Sequence, residues 1–244
     1  MLGAKPTSWS QSLSRIVSRW WLRFIWFYAI SCTVFIILDI IIVDDTLVHF
    51  TQWTWIAQTT VAWFYCVDYV LKKDETGSWL AVVSNANIKP SVFHVLVDAF
   101  LLPFVYPISW TVAIVVSVIV EVSPIASDAL STYSAGVTWT YNFYIHYLPV
   151  IVHTMYLCVE FKSILNVTFY GSTNLVKLSS ILGVFFASER FLFIYMVHND
   201  VTKVYELQSL NLTFVEYYAI MVLSFVFFSF VYYSIIYRAK FKNR

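Results

Sequence analysis

Three ionisable residues, His146, His153 and Glu160, recur at intervals of seven inside one long apolar run. On a helix that interval keeps all three on one face, drifting only about 20° per heptad. Imidazole and carboxylate could act there as acid and base. Ionisable groups are costly enough in lipid that each one raises the question of function. The stripe also has a structural reading: a histidine inside a bundle often hydrogen-bonds a neighbouring helix, and Glu160 can reach water beside Lys162. A competing chemistry is a metal site, with His146, His153, His198 and a carboxylate as zinc-type ligands. The first two histidines are about two turns, over 10 Å, apart, which speaks against shared ligation. No metal or other cofactor is therefore expected.

Other charged residues read more plainly. Glu189 and Arg190 are adjacent and point about 100° apart on a helix. Arg190 has Asp39, Asp68 and Asp98 as prospective partners on other helices, in structural ion pairs. Asp68 also reads as a residue at the edge of a span, and His198 as an interfacial one. Cys32, Cys66 and Cys158 all sit within apolar runs. They read as small buried hydrophobes rather than as a disulfide framework or metal site.

The elements that must hold these residues are set by composition. Of 244 residues, 60% are hydrophobic and 12% charged, with a mean hydropathy of +0.73. A soluble domain carries roughly a quarter charged residues, so the expected solvent is lipid. A net charge of +1 gives no reason to expect a nucleic-acid partner. A bilayer-crossing helix needs about 20 apolar residues. The expected fold is an all-α membrane helix bundle of about six spans in a single transmembrane domain, 1–244. The spans are expected near 20–43, 50–71, 93–120, 139–161, 178–197 and 215–237. The third contains Pro103 and Pro107 and reads either as one kinked helix or as a re-entrant pair. The first follows Arg15, Arg19 and Arg23 and reads as a signal-anchor helix.

Charge placement predicts orientation. All Lys and Arg except Arg190 and Lys203 fall in the two tails and the even-numbered loops, whereas the first loop carries Asp44 and Asp45. By the positive-inside rule both termini are cytosolic. Trp20, Trp21, Trp53, Trp55, Trp139 and Tyr237 mark span boundaries as interfacial anchors. Lys242 and Lys240 stand third and fifth from the last residue. That spacing resembles a cytosolic dilysine signal for retrieval to the endoplasmic reticulum, where a multi-pass protein is expected; its plain reading is a basic stop.

Thr51 stands at the expected start of the second span. Threonine commonly caps such starts, and as a nucleophile it needs a base. His146 is the partner expected at a similar depth, in the lumenal third of its span. The topology permits the pairing without requiring it.

Three stretches together resemble the androgen-induced-protein family of androgen-dependent transmembrane threonine hydrolases, in a diverged, fungal-looking form. His49-Phe50-Thr51-Gln52-Trp53-Thr54-Trp55 is similar to the family's opening of the second span. Asn142 and His146, with Leu148-Pro149, resemble its Asn-x-x-x-His segment in a His-x-x-Pro variant. Val197-His198 with Val204-Tyr205 resembles its histidine-bearing end of the fifth span. The order and spacing hold across nearly the whole chain. A second histidine of the animal motif is Phe143 here, and the proline follows His146 at a shorter offset.

The resemblance implies hydrolysis of fatty acid esters of hydroxy fatty acids, with Thr51 as nucleophile and His146 as base. Asn142, His153 and His198 would support them, Asn142 as an oxyanion donor. The partners implied are membrane lipids and a lipid-ester substrate. The alternative from another class is a non-catalytic multi-pass protein that binds lipid or acts as a scaffold. A transporter fits less well, because no inverted repeat is visible.

Overall fold

The computed structural model describes residues 8–42, 50–76, 92–122, 140, 142–167, 174, 177–186 and 213–242. Every described element is helical, and no strand occurs among the described residues. Helix α1 is Ser8–Ile42 and α2 is Phe50–Thr76. Helix α3 covers 92–122 as Val92–Val95, a π-helical segment Leu96–Leu101, and Leu102–Val122. Helix α4 is Phe143–Val159, opening with a second π-helical segment, Phe143–Tyr147. A bend at Glu160 leads into α5, Phe161–Val167. Helix α6 is Lys177–Phe186 and α7 is Phe214–Lys242.

Three stretches are long and apolar enough to cross a bilayer: Trp20–Ile41, Val92–Ser117 and Val215–Ala239. The chain has the all-α, membrane-type character expected. Helix α2 has length enough at 27 residues, but it is more polar, and its Thr54, Gln58, Thr59 and Asp68 are buried against other helices. Phe143–Val159 and Lys177–Phe186 are apolar but shorter. The rest of the expected span 178–197 lies outside the described residues.

Burial orders these helices. In the α3 span 67% is buried, against 28% in α1 and 22% in α7. Helix α3 is therefore the centre, packed by α2, α4 and α7, with α1 lying on α2. The outward faces of α1 and α7 present Phe27, Ile30, Ile37, Ile41, Leu223, Phe227 and Phe230, side chains suited to acyl chains. Lipid tails are as apolar as leucine, so packing and interhelical hydrogen bonds must hold such a bundle together.

The third span is one continuous helix, which removes the re-entrant alternative. Pro103 acts differently from a simple kink, while Pro107 lies within the regular helix Leu102–Val122. A proline lacks the N–H for the i−4 carbonyl and crowds that carbonyl. Just before Pro103, the N–H of Leu102 bonds Val97 O, five residues back. Just before Pro149, the N–H of Leu148 bonds Phe143 O in the same way. Both π segments thus end at a Leu-Pro pair, where the ladder takes up an extra residue instead of breaking.

One cysteine departs from expectation. Cys32 and Cys66 are buried, but Cys158 is exposed, because it lies on the outward side of α4 opposite buried Tyr156 and Leu157.

Candidate functional site

His146 occupies the second π segment and is buried, at 9% exposure. Its ring faces the backbone carbonyl of Asn142 in the preceding turn, and no other partner reaches Nδ1 among the described residues. Its ring lies edge-on to Tyr147 with centroids 6.5 Å apart. Tyr147 is held in turn, its hydroxyl 2.9 Å from Ser117 Oγ on α3. On the other side, Tyr144 packs its ring 4.9 Å from Phe35 of α1. Asn142 takes helical backbone angles immediately before the π segment. π turns recur at functional sites.

Helix α2 runs parallel to α4, and two contacts fix their register. The Tyr65 hydroxyl lies 3.0 Å from His153 Nδ1. The Tyr65 ring stacks on Tyr156 at 3.7 Å and 11°. Carried back along both helices, this pairing brings His146 level with the turn from Trp55 to Gln58. Thr51 stands in the first turn of α2, one to two turns nearer the helix start, or about 6–10 Å by rise per residue. The similar depth expected of the pair thus includes an offset of this size. The His146 Cα–Cβ bond tilts toward the start of α4, the end at which Thr51 lies. The Thr51 side chain itself, and all of His198, fall outside the described residues.

His153 follows the structural reading. It is fully buried and tied to Tyr65 across the α2–α4 interface. Glu160, 2% exposed at the bend, does not snorkel to water as a lone carboxylate would. The whole stripe faces inward.

A second polar cluster, toward the Lys72–Lys73 end of α2, has no counterpart in the sequence reading. The Tyr156 hydroxyl lies 3.2 Å from Asp68 Oδ2 and 2.9 Å from Asp98 Oδ1. Ser163 Oγ donates to Asp98 Oδ2 at 2.9 Å. His94 Nε2 is 3.3 Å from Asp68 Oδ1. All five residues are buried. A phenol has one hydrogen and serves one carboxylate at a time, so the two aspartates share it. Asp68 is thus an interior residue and not a boundary one. Asp39 accepts from Gln52 Nε2 at 3.4 Å, while Arg190, their expected partner, lies outside the described residues. An aspartate amid the apolar run 93–120 was the available signal; nothing in the sequence joined it to His94, Tyr156 and Ser163.

No group of three or more His, Cys, Asp and Glu suited to a metal ion occurs among the described residues. Compared with known proteins, the chain matches no family model, no curated protein and no solved structure.

Proposed function

We propose that the chain is an intramembrane lipid-ester hydrolase acting on fatty acid esters, with Thr51 as nucleophile and His146 as base. The observation that carries this reading is His146, a buried imidazole on a π turn. A purely structural histidine in a bundle is instead tied to a neighbouring helix, as His153 is. The offset of about 6–10 Å between Thr51 and His146 along the axis is to be closed by their side chains and the bound ester.

In the reaction, Thr51 Oγ attacks the ester carbonyl carbon and His146 takes its proton. The bond to the alcohol oxygen breaks, and the alcohol leaves with that proton. Water then adds to the acyl-threonine and gives a proton to His146. Collapse releases the fatty acid and restores the threonine hydroxyl. Asn142 is the proposed oxyanion donor, and His153 and His198 are supporting residues.

The setting proposed is a multi-pass protein of the endoplasmic reticulum membrane, with about six spans and both termini cytosolic. The Lys and Arg distribution supports the orientation. Membrane lipids and the ester are its partners.

Covalent labelling by a fluorophosphonate probe tests the reading. Thr51→Ala and His146→Ala should each abolish labelling of a protein that still elutes as a folded species in detergent. Labelling that survives both substitutions would remove the hydrolase. A protein that binds a lipid ester stably, with no turnover across a panel of esters, would be the non-catalytic lipid-binding scaffold instead.

A further inference from the structure

Helix α1 is longer than its apolar span. It runs Ser8–Ile42, but the span begins only at Trp20, so the helix continues past the hydrocarbon edge. Arg15 and Arg19 belong to that extension, and Arg23 stands just inside the span, exposed. At 100° per residue the three positions fall, with Ser8 and Ser12, within one arc of about 80°. By axial rise Arg19 stands about 1.5 Å outside Trp20, Arg15 about 7.5 Å outside it, and Arg23 about 4.5 Å inside. The headgroup layer on each side of the hydrocarbon is about 5–7 Å deep. The three positions therefore bracket the phosphates, toward which Arg23 can snorkel.

The same face continues through the span as its outward side. Trp26, Ile30, Ile37 and Ile41 fall in that arc and are exposed, whereas Trp21, Ile25, Tyr28 and Cys32, across the helix, are buried. A basic stripe thus leads straight into an apolar one. Arginines four apart on a helix repel one another, and the first acidic residue of the chain is Asp39, buried near the other end of α1. The anion that relieves them must come from outside the helix. Lysine would serve membrane orientation equally well, and the end of α2 uses it, as Lys72 and Lys73. That end lies beside the start of α1, because Gln52–Asp39 and Trp63–Thr33 pair the two helices antiparallel. Three of the six arginines in the chain are gathered on α1 instead. A guanidinium fork grips a phosphate through two parallel N–H···O bonds, which an ammonium cannot do.

We propose that this face of α1 is a binding site for an anionic phospholipid. Arg15, Arg19 and Arg23 hold its phosphate, and its acyl chains lie along Trp26, Ile30 and Ile37. Trp26 and Ile37 are about 16 Å apart along the axis, close to the roughly 15 Å of hydrocarbon in one leaflet. One lipid therefore engages the charged and the apolar part together. The site stands apart from His146 and does not depend on ester hydrolysis.

Native mass spectrometry of the full chain in detergent tests this, with dioleoyl phosphatidic acid and dioleoyl phosphatidylcholine as probes. The wild type should bind phosphatidic acid at least about tenfold more tightly than phosphatidylcholine. Arg15→Gln with Arg19→Gln should weaken that binding about 25-fold, at about fivefold per arginine. Lys72→Gln with Lys73→Gln removes the same charge at the same end of the bundle and should change it by less than about threefold. Arg15→Lys with Arg19→Lys keeps the charge and should restore only part of the loss, because the fork is gone. Glycerol 3-phosphate, a headgroup without chains, should not displace the lipid. Equal loss from the lysine pair, or full recovery with Arg15→Lys and Arg19→Lys, would reduce the site to diffuse surface charge. Equal binding of both lipids by the wild type, or unchanged binding in the glutamine pair on α1, would overturn the proposal. Displacement by glycerol 3-phosphate would make the arginines a site for a soluble phosphate and overturn the lipid assignment.

Discussion

Tyr156 of α4 meets Asp98 of α3 at 2.9 Å, in a position where its hydroxyl also faces Asp68 of α2. Three helices thus close on one phenolic oxygen. Tyr156→Phe keeps the ring stacked on Tyr65 and removes that oxygen. It should destabilise the bundle by about 1–3 kcal/mol, read as an apparent melting temperature in detergent lower by about 3–10 °C. An unchanged melting temperature would mean that the cluster contributes nothing to stability.

The Tyr65–His153 contact ties α2 to α4, and a double-mutant cycle isolates it. Tyr65→Phe and His153→Leu should each destabilise the protein, with a coupling of about 0.6–1.7 kcal/mol, as for other interhelical hydrogen bonds in membranes. Strict additivity would show that the 3.0 Å contact carries no net energy.

Gly183 of α6 is required by its neighbour. A Cβ at this position would overlap the Phe225 ring of α7, itself buried. Gly183→Ala should therefore cost about 1–3 kcal/mol by overpacking. Gly183→Ala with Phe225→Leu should regain part of that loss, because the smaller side chain clears the added methyl. A double variant less stable than Gly183→Ala alone would point to a backbone cause.

Pro149 stands directly after the π turn that carries His146. Pro149→Ala restores an N–H for Ile145 O and removes the crowding that favours the wider turn. The variant should be at least as thermostable as the wild type, yet lose probe labelling and ester turnover about as fully as His146→Ala. Stable protein with normal labelling would separate His146 function from the π geometry.

Much of the framework was legible because apolar run length is a direct signature of lipid solvation. The runs at 20–43, 93–120 and 215–237 correspond to stretches that are long and apolar enough to span. The inward stripe of His146, His153 and Glu160 followed from seven-residue spacing. The irregular turns were less visible. Pro103 and Pro149 announced a disturbance, but sequence spacing assumes 3.6 residues per turn and so could not show that the ladder widens.

Depth across helices was also out of reach. Thr51 and His146 were expected at a similar depth because each lies near the start of its run. Their true offset depends on how Tyr65 engages His153 and Tyr156, which is a matter of side-chain packing between helices. The Asp68–Tyr156–Asp98 cluster was hidden for the same reason, since its members come from three helices and touch only when these are packed.

Each π turn is an ordinary helix holding one spare residue. Taking one residue out of Phe143–Tyr147 would leave α4 below it undisturbed and swing everything before it by about 100°. The approach to His146 from the start of α4 could then be re-aimed independently of the Tyr65, Tyr156 and Asp98 anchorage. For a lineage or an engineer, a single-codon deletion there is a change of address for the site rather than the loss of the bundle.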